Sequence, residues 1–205
     1  LMQKGNPATR RSDKLREYLP LLALVGLMLV ARTSLANHYV VPSGSMERTL
    51  VPGDRVVVDM SAYGLRVPYT DTVLLERDRP RPGDVVLLPS PADGTRLIKR
   101  VVGVAGDHVV FRNGHLTLNG QPAALGGRGV VEQIGDQRVS VNLASGGGPD
   151  VDLVVPPGHV YVVGDHRGNS LDSRMFGMAP ETSVYARALG VFWRSGEGPV
   201  WRSLN

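Results

Sequence analysis

Punctuation is the feature that most limits what this chain can fold into. It carries 25 glycines and 15 prolines in 205 residues, and its apolar residues fall between them in short, valine-rich blocks. Blocks that short and that rich in β-branched side chains read as strands joined by turns rather than as helices. They occur at residues 37–41, 55–59, 72–75 and 84–88, then at 109–111, 116–118, 130–134, 138–143, 151–155, 160–163 and 188–193. Arg112-Asn113-Gly114-His115 separates two of them, and Asn-Gly accepts the positive φ of a type I′ hairpin turn. Ala144-Ser145-Gly146-Gly147-Gly148-Pro149 reads as a flexible connector. No repeat and no long amphipathic helix stands out, so the expected fold is mainly antiparallel β.

Charge is unevenly placed. The net charge is +4, and Lys4, Arg10, Arg11, Lys14 and Arg16 against Asp13 and Glu17 supply +3 of it within the first 17 residues. The remainder is nearly neutral, which argues against a nucleic-acid surface, since that needs positive charge clustered on the folded part. The chain has no cysteine, which excludes disulfides and thiolate chemistry. Between Tyr18 and Ala31 there is no charge at all. On pattern alone this is either the apolar part of a cleaved signal peptide, with Ser34-Leu35-Ala36 as a small-x-small site, or a membrane span continuing to Ala36 with Arg32 snorkelling. In both cases the basic flank stays cytoplasmic and the rest lies across the membrane.

Three segments could carry chemistry. Only Lys4, Lys14 and Lys99 are lysines, beside 20 arginines, and Lys99 alone lies beyond the tail. Arginine keeps its proton in a protein, whereas a desolvated lysine can lose it. In a strand, Leu97, Lys99 and Val101 share one face and Ile98, Arg100 and Val102 the other, which sets the ammonium among aliphatic neighbours. Taken alone, the default reading is an edge-strand lysine snorkelling to water. Ser45 follows the tight Pro42-Ser43-Gly44 turn, where an exposed hydroxyl can sit beside converging backbone N–H groups, although Pro-Ser-Gly-Ser also makes an ordinary surface turn. Gly164-Asp165 through Asp172-Ser173-Arg174 looks like a loop that satisfies its own polar groups. None of His38, His108, His115, His159 and His166 has metal-ligand spacing, so neither metal nor cofactor is expected.

Together the three segments resemble those of the bacterial type I signal peptidases (leader peptidases), membrane-anchored serine proteases with a Ser–Lys dyad. Pro42-Ser43-Gly44-Ser45-Met46 with Thr49-Leu50 resembles the nucleophile box, and Lys99-Arg100-Val101-Val102-Gly103 with Gly106-Asp107 the lysine box. Gly164-Asp165, Asn169-Ser170 and Asp172-Ser173-Arg174 resemble the last box, while Tyr63 to Pro68 and Gly83-Asp84-Val85-Val86 also look familial. The similar stretches cover roughly residues 38–107 and 154–180, in one order. Departures are Glu47-Arg48, where the family often has an apolar or variable residue followed by proline; His166 and Gly168 in place of Asn and Asp; and Leu97, where an aromatic can occur.

The resemblance implies Ser45 as nucleophile, Lys99 as general base, Ser43 Oγ and the Ser45 N–H as oxyanion hole, and Ser170 as the group orienting Lys99. It implies Asp165, Asp172 and Arg174 as supporting ion-pair residues, and no cofactor. It implies cleavage of exported preproteins after small residues at −1 and −3, at the lipid bilayer. Residues 1–17 would be a cytoplasmic tail and 18–36 an uncleaved transmembrane anchor in the bacterial inner membrane. Residues 37–107 and 156–205 would form a barrel-like catalytic β core on the trans side, with 108–155 an inserted smaller β lobe. Trp193 and Trp201 would fit a headgroup contact. The competing expectations are a Ser–Lys processing peptidase with one dedicated substrate, of pilus or conjugation type, and a non-enzymatic anchored β-domain. A LexA-like self-cleaving repressor shares the chemistry, but the apolar segment and the lack of a helix-turn-helix weigh against it.

Overall fold

The computed structural model describes residues 18–25, 36–66, 73–126 and 130–204. Residues 18–25 are helical (α1) with exposed side chains. The expected tail at 1–17 and most of the expected anchor lie outside the described residues, and no described helix is long and apolar enough to cross a membrane.

The strands follow in chain order. The first half comprises β1 (Ala36–Val40), β2 (Arg55–Asp59), β3 (Gly64–Arg66), β4 (Val73–Glu76), β5 (Val85–Pro89), β6 (Arg96–Val104), β7 (His108–Arg112) and β8 (His115–Leu118). The second half comprises β9 (Gln121–Pro122), β10 (Val131–Ile134), β11 (Gln137–Ser140), β12 (Val151–Val154), β13 (His159–Val163), β14 (Ala179–Pro180), β15 (Ala186–Arg194) and β16 (Gly198–Ser203). The short helix α2 (Ser173–Phe176) lies between β13 and β14.

The main sheet runs β1-β2-β15-β5-β6-β13-β14, with β16 also pairing β15, and its pairings are antiparallel. It has two ends, so the barrel-like core expected from the sequence is instead an open sheet. At one end β14 is two residues long and includes Pro180, which has no N–H to extend a ladder. β15 bulges at two places along its pairing with β2, and its first residues pair with β5, so one strand serves as the hinge of the sheet.

Strands β5 and β13 read as nearly unbroken apolar runs because both of their faces are covered, and β6 between them is buried through most of its length although it carries Lys99 and Arg100. Val41, Met46, Leu50, Val56, Val58, Val85 and Leu87 pack on one side, and Val86, Leu88, Val101, Val160, Val162 and Val184 on the other. A second sheet, β12-β7-β8-β9, turns at Asn113 and Gly114, whose φ values of 50° and 81° are those the Asn-Gly pair was expected to adopt. Its core residues Val109, Phe111 and Leu116 share one cluster with Val102 of β6 and with Tyr161 and Val163 of β13. The second sheet is therefore packed onto the strands that flank the site.

Candidate active site

Ser45 lies in a 3-10 turn, Gly44–Met46, entered directly from β1. Met46 and Leu50, both fully buried, peg the turn into the core, and Thr49 and Leu50 donate their N–H groups to the Met46 carbonyl. Lys99 occupies the middle of β6 and is 3% exposed. Its neighbours on the same face, Leu97 and Val101, belong to the aliphatic cluster with Val86 and Leu88, as the alternation required. Lys99 Nζ donates to Ser45 Oγ at 2.6 Å. Ser43 Oγ donates to Ser45 Oγ at 3.4 Å.

Desolvation by burial pushes the Lys99 amine down from its ordinary 10.5 to about 8, while Asp172 and Asp165 pull it up and Arg174 pushes it down. The two acids fail to hold it charged because each is already engaged. Arg100 reaches Asp165 through Nε at 2.9 Å and Nη2 at 2.8 Å, and Thr49 Oγ1 donates to the same carboxylate. Arg174 reaches Asp172 through Nε at 2.9 Å and Nη2 at 2.7 Å, and Gly164 N donates to Asp172 at 3.0 Å. Both pairs are buried and forked, the geometry in which arginine and carboxylate saturate each other. Lys99 is the cation left without a carboxylate of its own.

The other expected residues converge on the same place. Ser170 Oγ is buried and has no hydrogen-bond partner, so it forms no bond to Lys99 in this structure. A Cβ placed on Gly164 would collide with Ser170 Oγ and with the Ser45 carbonyl oxygen, so only glycine lets these two segments touch. An apolar cavity of about 190 Å³ is lined by Tyr39, Val41, Pro42, Leu87, Leu97 and Ile98 among others. Arg96 closes one wall, its guanidinium 4.6 Å from the Tyr39 ring. Among the described residues no group of His, Cys, Asp and Glu is arranged to hold a metal ion.

Sequence reasoning missed several partners. Arg100 was legible as a charge within an apolar run, on the face opposite Lys99, but its acceptor lies 65 residues away. Arg167 is fully buried against Glu132 and stands 5.0 Å over the Phe111 ring, tying the 164–174 loop to the second sheet. Glu132 sits between Val131 and Gln133 in what reads as a plain strand, and nothing local marks it.

An amine within hydrogen-bond reach of a hydroxyl in a dry pocket is the arrangement that a serine hydrolase with a lysine base requires. The comparisons agree with that class. Residues 15–193 match the family model described as "Signal peptidase, peptidase S26". A signal peptidase I of Pseudomonas fluorescens is 34% identical over 90% of this chain and 72% of its own length. That of Pseudomonas aeruginosa is 32% identical over 92% and 74%. A solved signal peptidase I structure from Enterococcus faecalis V583 is 26% identical, covers 60% of this chain and 97% of that one, and has a TM-score of 0.39. The chain belongs to the signal peptidase family, peptidase S26, and is a serine peptidase of that family.

Proposed function

We propose that the chain removes N-terminal signal peptides from exported preproteins through an acyl-enzyme on Ser45, with Lys99 as the base. One observation carries this, the 2.6 Å contact between Lys99 Nζ and Ser45 Oγ inside a site that holds the amine near 8. A neutral Lys99 has a lone pair free to take the hydroxyl proton across that contact as Ser45 Oγ attacks the scissile carbonyl. The resulting oxyanion is met by the Ser45 N–H and by Ser43 Oγ–H, which turns from Ser45 to the new charge. Lys99, now an ammonium, gives its proton to the leaving amine. Lys99, neutral again, then takes a proton from a water that attacks the acyl carbonyl, and passes it to Ser45 Oγ as the ester C–O bond breaks, which restores both groups.

The resemblance to the signal peptidases extends this reading to a preference for small residues at −1 and −3 of the substrate. The apolar 18–36 segment, with Arg32 near its far end as its one charge, serves as a membrane anchor in this reading, with the basic tail cytoplasmic and the catalytic residues across the inner membrane. Exposed Trp193 and Trp201, at 41% and 65%, suit the headgroup layer where an indole keeps one edge wet. The test is incubation of the detergent-extracted chain with a preprotein carrying an Ala-x-Ala site. The parent cuts after the second alanine and Ser45→Ala does not. Cleavage by Ser45→Ala at the parental rate overturns the proposal.

A further inference from the structure

Two positions where this chain departs from the family pattern, Glu47 and His166, lie far apart in sequence and meet beside the nucleophile. His166 N donates to Ser45 O at 3.1 Å. The imidazole Nδ1 of His166 is 3.0 Å from Glu47 Oε2, a close polar contact off the ring's hydrogen-bonding axis. The same carboxylate oxygen accepts from Asn142 Nδ2 at 3.3 Å, and His166 Nε2 is 3.0 Å from Ser145 Oγ. Backbone bonds lock the two loops together, Asn142 N to Asp165 O at 2.8 Å and Arg167 N to Asn142 O at 2.9 Å. The Glu47 side chain folds back over its own turn, so that a Cβ on Gly44 would come within 2.9 Å of its Oε1. Three segments thus converge on one carboxylate.

The turn needs holding. Glu47 has φ −53° and ψ 146°, Arg48 has φ 87°, and Thr49 N donates to Met46 O at 3.0 Å. That is a type II turn, whose third position favours Gly or Asn, yet here it is arginine. A proline, whose ring holds φ near −65°, could not take up this backbone, so the turn here is held by other means than a proline at that place.

We propose that Glu47 is a positioning residue. Clamped by His166 and Asn142, it keeps the serine turn in register with Lys99 where no proline does so. The proposal rests on the reading of Ser45 and Lys99 as the catalytic pair. Because Glu47 is 39% exposed and clear of the core, its substitution leaves the fold intact.

The test compares Glu47→Ala, Glu47→Gln, His166→Asn and the Glu47→Ala/His166→Asn double variant of the full chain in detergent, on an Ala-x-Ala peptide. Misplacing a reacting group slightly lowers turnover without weakening binding, so Glu47→Ala should lose about tenfold in kcat with KM within about twofold. Glu47→Gln, which keeps the Asn142 bond, should recover to within about threefold of the parent. The double variant should be no slower than the slower single variant, because both break one clamp. Parental kcat in Glu47→Ala, additive losses in the double variant, or a lowered thermal midpoint with kcat unchanged would each overturn the proposal while Ser45→Ala stays dead. An active Ser45→Ala, or a parent that ignores the peptide, overturns the dyad and this proposal with it.

Discussion

Holding Lys99 in a dry site works against the stability of the fold. A fall in its pKa from 10.5 to about 8 corresponds to about 3 kcal/mol against the folded state at any pH below about 8. The sign follows from proton counts. Below about 8 both states bind the proton and the penalty is constant; between about 8 and 10.5 only the unfolded chain binds it, so stability rises with pH across that window. Replacing Lys99 by Met, which keeps the length and removes the charge, should therefore stabilise the chain at pH 7 by up to about 3 kcal/mol, seen as a higher denaturant midpoint, while abolishing turnover. An unchanged or lower midpoint would mean the amine is better solvated than its surroundings indicate. Lys99→Arg should also abolish turnover, since a guanidinium cannot accept the serine proton; near-normal activity in that variant would remove the base. Arg48, with φ 87°, carries local strain that glycine would not, so Arg48→Gly should raise stability by about 1 kcal/mol in thermal unfolding.

Strand β6 explains why the site has this electrostatic balance. Its alternation sends Lys99 to one face and Arg100 to the other, and Arg100 then occupies the carboxylate of Asp165 that would otherwise hold Lys99 charged. Asp165→Asn removes a charge that raises the Lys99 pKa and leaves the Arg100 cation uncompensated nearby. It should shift the acid limb of the rate profile to lower pH and cost about 3–5 kcal/mol in stability, as breaking a buried pair does. A limb moved to higher pH would contradict the assignment. The contact between the serine turn and the 164–174 loop is equally specific. In Gly164→Ala the new methyl would collide with Ser170 Oγ and Ser45 O, so turnover should fall by about a hundredfold or more even where the protein stays folded.

At the scale of the molecule, much of the fold was legible because its signals are local. The Val-rich runs at 84–88 and 160–163 became central strands, and Asn113-Gly114 turned the hairpin as expected. Strand β16 was not legible, because Gly198–Ser203 is a strand only through its pairing with β15. Nor was the open edge of the main sheet, since closure depends on which strands meet at the ends and a hydrophobic pattern does not record that. The site divides the same way. Ser45 and Lys99 could be singled out because one sits on a marked turn and the other is a lone lysine in an arginine-rich chain. Arg100, Glu132 and the contact of Glu47 with His166 could not, because each acquires its meaning from a partner many residues away. The buried Arg167–Glu132 pair joins the second sheet to the loop behind the site, which gives residues far from Ser45 a hold on its surroundings.

The central claim is that Lys99 works as a neutral amine on Ser45, and the pH dependence of kcat/KM for an Ala-x-Ala peptide tests it most directly. The account predicts a rate that climbs tenfold per pH unit in acid and levels off with a midpoint near 8, the value at which burial holds the amine. A rate that stays flat from pH 9 down to pH 5 would contradict it.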